Sequence, residues 1–415
     1  MIPSRRRTEQ ASRWIRNVVA SLVECANVAL TPMSRRELAS EGDSHSPTTT
    51  RVETPRVVVD AVFFQMERTG ISRVWKALMA EWSKSGFASH VVILDRNRTA
   101  PRFPGFTYRQ VPPFYHHDSF FQQIALEAVC RAERTDLFVS TYYTRPLRAR
   151  SLAYVYDMIP EATGHKLSPR AMRDKDSAIR HAEAFIAISD NTATDLARFY
   201  PVASSRPVCV AHCAAESVFA PASDTQIATL RANLDLPDDY FVFVGARNVT
   251  YKNAALVFDA LDVLPPGRRP AILFIGGLPS LEDAFELRAA DKVVRLATLS
   301  DEQLVSAYSG ARGLLFPSKY EGFGIPILEA MACGCPVIAC RNSSIPEVAA
   351  EAAIYIDEDD PHGLATAMTS LANPATRNSY VSAGLERAGQ FNWKTTAMQV
   401  EQFIRDVAAS SQTPR

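Results

Sequence analysis

Phe316-Pro317-Ser318-Lys319-Tyr320-Glu321-Gly322-Phe323-Gly324-Ile325-Pro326-Ile327-Leu328-Glu329-Ala330-Met331-Ala332-Cys333-Gly334-Cys335-Pro336 is the stretch that decides the fold of this 415-residue chain. Gly313-Leu314-Leu315-Phe316-Pro317 reads as a buried strand, and a loop with two glycines follows it. Pro326 suits a first helical position, where its missing N–H costs nothing. The helix should run to about Cys333, and Gly334 supplies the positive φ that commonly ends one. A strand resumes at Pro336-Val337-Ile338-Ala339. Strand, loop, helix and strand in this order indicate a parallel sheet in an α/β protein.

Similar apolar strands ending in glycine precede it. Towards the N-terminus, Ala271-Ile272-Leu273-Phe274-Ile275 ends in Gly276-Gly277, and Tyr240-Phe241-Val242-Phe243-Val244 ends in Gly245. A break at Phe219-Ala220-Pro221-Ala222-Ser223-Asp224 separates these from an earlier set. That set reads as strands at Val57–Phe64, 91–94, 137–139, 152–156 and 184–188, with a helix from Ile71 to about Lys84. Continuous short apolar runs alternating with helices predict two doubly wound sheets. Ligands of such sheets bind beyond the carboxyl ends of the strands, so two domains facing each other would hold a ligand in the cleft between them.

Composition narrows the class. Lys+Arg and Asp+Glu are both 45, so the formal net charge is zero, which lacks the basic footprint of a nucleic-acid binder. Seven dispersed cysteines fit reduced thiols better than a disulfide scaffold. No apolar run is long enough to span a bilayer. Arg5-Arg6-Arg7, then Trp14-Ile15-Arg16 and Val18–Val23, form a basic amphipathic stretch. It is a poor signal peptide because Glu24 interrupts it, and it is a candidate for peripheral membrane contact through residues 5–30. Residues 34–54 read as a disordered linker. The expected organisation is an N-terminal extension and linker over 1–54, a first Rossmann-like domain over 55–221, a second over 222–395, and a C-terminal helix over 396–415 turned back towards the first domain.

Gly322 and Gly324 allow backbone to approach a ligand closely. The N–H groups of the helix start favour an anion such as a diphosphate. Glu321 in the loop and Glu329, read as lying in the first helical turn, bracket that place. Carboxylates repel phosphate but accept hydrogen bonds from sugar hydroxyls, so one suits a transferred sugar and the other a ribose. Offsetting the helix dipole would account for one glutamate more readily than for two in this frame.

The segment resembles the Glu-x7-Glu signature of retaining glycosyltransferase family 4, enzymes of the GT-B fold, with a likeness to bacterial mannosyltransferases. The resemblance extends to Val244-Gly245-Ala246-Arg247 with Lys252-Asn253, to 300–311, to Ser343-Ser344-Ile345-Pro346-Glu347-Val348, to Thr69-Gly70-Ile71-Ser72-Arg73 and to 185–189. It implies a GT-B fold, two Rossmann-like domains facing each other across a cleft. It implies a retaining, metal-independent hexosyltransferase that uses a nucleotide diphosphate sugar, GDP-mannose or a UDP-sugar, and a glycan or lipid-linked acceptor. Arg247, Lys252 and Glu321 would be catalytic. The donor would be bound by these three with Gly70, Ile71, Gly245, Leu299, Gly322, Phe323, Gly324, Ile325 and Glu329. Tyr156, Asp157 and Ser189 are candidate acceptor or sugar contacts. Tyr156-Asp157 stands where many relatives have His-Asp, and Ser72 stands where they have glycine. The implied setting is bacterial surface-polysaccharide assembly in the cytoplasm, at the inner face of the membrane if the N-terminal stretch binds there.

Other patterns carry less. Asp357–Asp360 reads as a solvated helix start, His116-His117-Asp118 as a loop at the border of the acceptor site, and His212-Cys213 as packing or hinge. Cys333-Gly334-Cys335 is too tight for zinc. A catalytically inactive GT-B-like partner subunit is the alternative. A dinucleotide dehydrogenase is disfavoured, because Gly245-Ala246-Arg247 lacks the required glycine spacing.

Overall fold

The computed structural model describes residues 55–66, 70–114 and 119–410. The basic N-terminal stretch, the linker, Thr69 and the His116-His117-Asp118 loop lie outside them. The first sheet contains β1 (Val57–Asp60), β2 (Val91–Arg96), β3 (Thr107–Val111), β4 (Leu137–Ser140), β5 (Ser151–Val155), β6 (Ala184–Ala187) and β7 (Val208–Val210). Their order is β3-β2-β1-β4-β5-β6-β7. The second sheet contains β8 (Tyr240–Val244), β9 (Ala271–Ile275), β10 (Val294–Ala297), β11 (Gly313–Phe316), β12 (Val337–Cys340) and β13 (Ala353–Ile356), in the order β10-β9-β8-β11-β12-β13. Every pairing in both is parallel. Helices α1 (Gly70–Ser85), α2 (Asp190–Phe199), α3 (Ile325–Ala332), α4 (Ile345–Ala349) and α5 (Trp393–Ala409) adjoin the facing edges of the sheets or the connection between them.

Side-chain alternation along β1 explains its apolar run. Val57 and Val59 pack with Trp75, Leu78 and Met79 of α1 on one face. Val58 packs with Leu126 and Val129 on the other. A parallel strand covered on both faces needs apolar residues at successive positions. The run does not continue to Phe64, however. The strand ends at Asp60, and Phe63–Met66 is a helical turn. Asp60 is fully buried and receives Arg96 Nε at 2.8 Å, Arg96 Nη2 at 2.9 Å and Thr144 Oγ1 at 2.6 Å. The Thr141 hydroxyl donates to the Asp60 carbonyl and accepts the Phe63 N–H, so it turns the chain out of the sheet.

The strand order reverses between β1 and β4 in one sheet and between β8 and β11 in the other. These switch points open crevices at the carboxyl ends of the strands. The Glu321 loop leaves β11, and the Gly245–Lys252 segment leaves β8, so both flank the second crevice. The carboxyl ends of the two sheets face one another, since residues that follow β5 and β11 touch across the gap. α5 runs back to the first sheet, where Ala397 accepts the Trp82 indole N–H at 3.1 Å and Arg150 donates to the carbonyls of Val407 and Ala408.

The six cysteines among the described residues are free and buried. No helix among the described residues is long and apolar enough to cross a membrane.

Replacing Asp60 by Ala would leave the Arg96 guanidinium buried and unpaired. A loss of about 3–5 kcal/mol in unfolding free energy is expected from urea titration. A loss below about 1 kcal/mol would show that Arg96 does not depend on Asp60 for its partner.

Candidate active site

The site is built on Lys252 and Glu321. Gly245, directly after β8, has φ +139°, and a Cβ there would lie 3.6 Å from the Lys252 side chain. That distance is ordinary contact, so it is the positive φ and not space that favours glycine here. Lys252 closes a short helical turn, Thr250–Lys252, and places Nζ 2.7 Å from Glu321 Oε1. The rings of Tyr251 and Phe316 flank the ammonium at 5.6 and 5.5 Å. The loop is pinned from behind. Ser343 Oγ accepts the Glu321 N–H at 2.9 Å, and Ser344 Oγ donates to the carbonyls of Glu321 and Phe323 at 3.0 and 2.9 Å.

The two signature glycines serve different ends. Gly324 has φ +104° and precedes the first residue of α3, a backbone conformation that favours glycine. Gly322 is needed for space. A Cβ on it would sit 1.9 Å from the Tyr156 carbonyl oxygen of the facing domain. The close approach expected for a ligand is here made by protein backbone.

Glu329 is the fifth residue of α3, one residue further along than a start at Pro326 would put it, because the helix starts at Ile325. It is buried, and its carboxylate meets Arg73 Nη1 at 3.2 Å and Tyr308 OH at 3.4 Å. Burial raises its pKa to about 7, against the opposing pull of Arg73. Arg73 also pairs with Asp301, and with Glu216 at 3.6 Å. Burial alone would lower the Arg73 pKa, but Glu329, Asp301 and Glu216 outweigh it and raise it. In the sequence Arg73 is marked only as the end of the Thr69–Arg73 motif. Nothing in the sequence shows that it reaches a carboxylate 256 positions away. Gly70, at the start of the same helix, would place a Cβ 3.7 Å from Ile325. Ile71 and Leu299 are half-buried packing residues.

Three expectations are corrected. Arg247 does not present its guanidinium for a diphosphate. Its side chain is shielded from solvent, with Nε 3.0 Å from Glu282 and its other nitrogens donating to the carbonyls of Gly276, Leu278 and Ser280. It holds the loop after β9. The Tyr156 hydroxyl is buried, accepting from Trp75 Nε1 at 2.6 Å and donating to the Thr141 carbonyl at 2.9 Å. Tyr156 nonetheless lines the cavity between the domains. Ser189 is fully buried, capping α2 and donating to the Gly322 carbonyl at 2.6 Å.

Asp157 is placed differently. With Tyr142, Tyr143, His165, Lys175 and Tyr251 it lines a cavity of about 130 Å³ between the domains. Burial raises its pKa against the pull of Lys175. Asp360 caps the helix that follows it by accepting the Gly363 N–H at 2.9 Å, as a helix start requires.

Residues 226–387 match the family described as Glycosyl transferases group 1. The chain is 29% identical over 227 residues to the O-antigen chain mannosyltransferase B of Escherichia coli, an overlap of 52% of this chain and 59% of that one. The chain thus spans well under two thirds of that relative. Among solved structures, the sucrose-phosphate synthase of Thermosynechococcus elongatus superposes with a TM-score of 0.67 at 19% identity, over 86% of this chain and 99% of that one. Anabaena Alr3699/HepE in complex with UDP and glucose superposes at 0.65 and 16% identity, over 84% and 99%. The fold is GT-B, two facing parallel-sheet Rossmann-like domains.

Two outcomes are expected. A carboxyl whose folded pKa is raised contributes stability in full below its unfolded pKa and loses it as pH rises through the folded value. For Glu329 that window runs from 4.5 to about 7. The melting temperature of the wild-type protein should therefore fall relative to Glu329→Gln across this window and stay lower above it. Parallel melting curves from acid to mildly alkaline pH would refute the burial argument. Gly322→Ala should cost at least about 1–3 kcal/mol, because backbone and not a flexible side chain must yield. An unchanged melting temperature would mean that the domains do not meet there.

Proposed function

Residues 226–387 form a domain of the glycosyl transferases group 1 family, and from that premise we propose that the chain is a retaining glycosyltransferase. It moves a hexose, mannose foremost, from a nucleotide diphosphate sugar onto a glycan or lipid-linked acceptor in surface-polysaccharide synthesis. The observation that carries this is the Lys252–Glu321 pair, 2.7 Å apart, at the crevice where β8 and β11 diverge. Mannose is favoured by the likeness to the Escherichia coli O-antigen chain mannosyltransferase B.

Each residue has a role in this reading. Lys252 is a fixed cation for the diphosphate, and the backbone at the start of α3 adds N–H donors. Glu321 accepts hydrogen bonds from hydroxyls of the transferred sugar and keeps Lys252 in position. Glu329 accepts from the ribose in place of its contact with Arg73. The bond from the anomeric carbon to the phosphate oxygen breaks, and its electron pair stays with the phosphate. The acceptor oxygen bonds to the same face of that carbon, and its proton passes to the departing phosphate oxygen. Orientation and preorganised charge supply the catalysis. Lys252, rather than a metal ion, neutralises the leaving group. Arg247 contributes by fixing the loop after β9.

One observation favours the inactive-partner alternative: with Arg247 engaged by Glu282 and the loop after β9, Lys252 is left as the principal cation for the diphosphate. A melting screen against UDP-, GDP-, ADP- and dTDP-sugars separates the readings, since a ligand of the folded state raises the melting point. A shift with one base, retained in EDTA and followed by transfer with retained anomeric configuration, is expected. Lys252→Ala should lower kcat/KM by about 10²–10³. Binding without transfer to any saccharide acceptor would support the inactive partner, and near-normal turnover in Lys252→Ala would remove that residue from the mechanism.

A further inference from the structure

We propose that Glu347 and His212 are positioning residues that lock the two domains together and thereby hold the Glu321–Phe323 loop in place. Glu347 belongs to α4 of the second domain, and α2 belongs to the first. The first N–H groups of a helix have no partner within it. In α2, the Thr192 N–H is met by Ser189 Oγ at 2.9 Å. The Asp190 and Asn191 N–H groups are met by the Glu347 carboxylate, at 2.7 and 3.2 Å, from across the domain boundary. An anion at this end of a helix is favoured by the helix dipole.

His212 completes the contact. It lies in the segment between β7 and the second domain, with Nε2 2.6 Å from Glu347 Oε1. Its carbonyl accepts the Thr396 hydroxyl of α5 at 2.7 Å. Its ring lies 5.9 Å from Phe323 and 6.0 Å from Phe391. Burial alone would raise the Glu347 pKa, but the bonds from His212 and the two amides outweigh it and keep the group below its ordinary value.

The clustering of Asp190, His212 and Glu347, whose ligating atoms lie within 4.8 Å of one another, could suggest a metal ion. The Asp190 and Asn191 amides argue against it. They aim N–H groups at both Glu347 oxygens, and a cation there would face the positive end of α2.

The lock engages the catalytic loop itself. Ser189 and Thr192, on the helix that Glu347 caps, donate to the Gly322 carbonyl at 2.6 and 3.1 Å. Tyr320 enters the apolar core of the first domain with Val155, Met158 and Leu196. Its hydroxyl donates to Asp195 at 2.6 Å and accepts from Asn191 Nδ2 at 3.2 Å. Residues on both sides of Glu321 are therefore fixed by α2, and α2 is fixed by Glu347. Opening the domains breaks these bonds together and leaves the loop to the contacts of its own domain with Ser343, Ser344 and Lys252.

The inference rests on the proposed function for its kinetic consequence but not for its structural one. The test uses the full chain with Glu347→Ala, Glu347→Gln and His212→Ala. Small-angle scattering without ligand should show Glu347→Ala and His212→Ala more expanded than wild type. Glu347→Ala should lower kcat by at least about tenfold, as expected for a misplaced catalytic group, while nucleotide affinity stays within about threefold. Glu347→Gln retains one acceptor oxygen and should recover part of both effects. Unchanged size and kcat in Glu347→Ala would overturn the proposal, as would loss of nucleotide affinity in proportion to kcat. If wild type transfers no sugar, the proposed function fails. The scattering result then decides the lock alone: expansion of Glu347→Ala supports it, and wild-type dimensions overturn it.

Discussion

The approach of Gly322 to the Tyr156 carbonyl is the constraint on which the rest of the site depends. No side chain fits between the two backbones. Because they meet, the carboxyl ends of the two sheets face each other at contact distance, and the loop carrying Glu321 lies between domains instead of at the edge of one. Tyr320 can then enter the core of the first domain, and Ser189 and Thr192 can hold the Gly322 carbonyl. A larger residue at position 322 would separate every one of these pairs.

Charge in the cleft follows a consistent pattern. Three carboxylates of the cleft each have a cation, imidazole or amide partner from another element. Glu321 has Lys252, Glu329 has Arg73, and Glu347 has His212 with two amides of α2. A buried charge without a partner would be costly, so the pairs set the positions of the acids before any substrate arrives. Glu329 is the extreme case, since burial outweighs its partner and lifts its pKa to about 7. Its carboxylate is held at a cost that new hydrogen-bond donors, such as ribose hydroxyls, would relieve.

Much of the fold was legible in the sequence, and the exceptions share a cause. The central strands are covered on both faces and appear as unbroken apolar runs, as at Tyr240–Val244 and Ala271–Ile275. The strands passed over, β3, β7 and β10, all lie at sheet edges. Thr107-Tyr108-Arg109-Gln110-Val111 and Val294-Arg295-Leu296-Ala297 are only partly covered and carry polar side chains. At the site, the frame around Glu321 and Glu329 was legible from spacing and glycines, and Lys252 stood out only through the family resemblance. The engagement of Arg247 by Glu282, of Ser189 by Gly322 and of Glu347 by α2 was not, because each depends on how separate elements are brought together. A motif identifies a side chain, but the fold decides which way it points.

The most direct test of the account is a structure of the chain with a nucleotide diphosphate sugar bound. The expected result places the diphosphate at Lys252 and the start of α3, the ribose on Glu329 and the sugar beside Glu321, with Arg247 still paired to Glu282. A nucleotide bound elsewhere, or a diphosphate held by Arg247 with Lys252 still closed on Glu321, would contradict it.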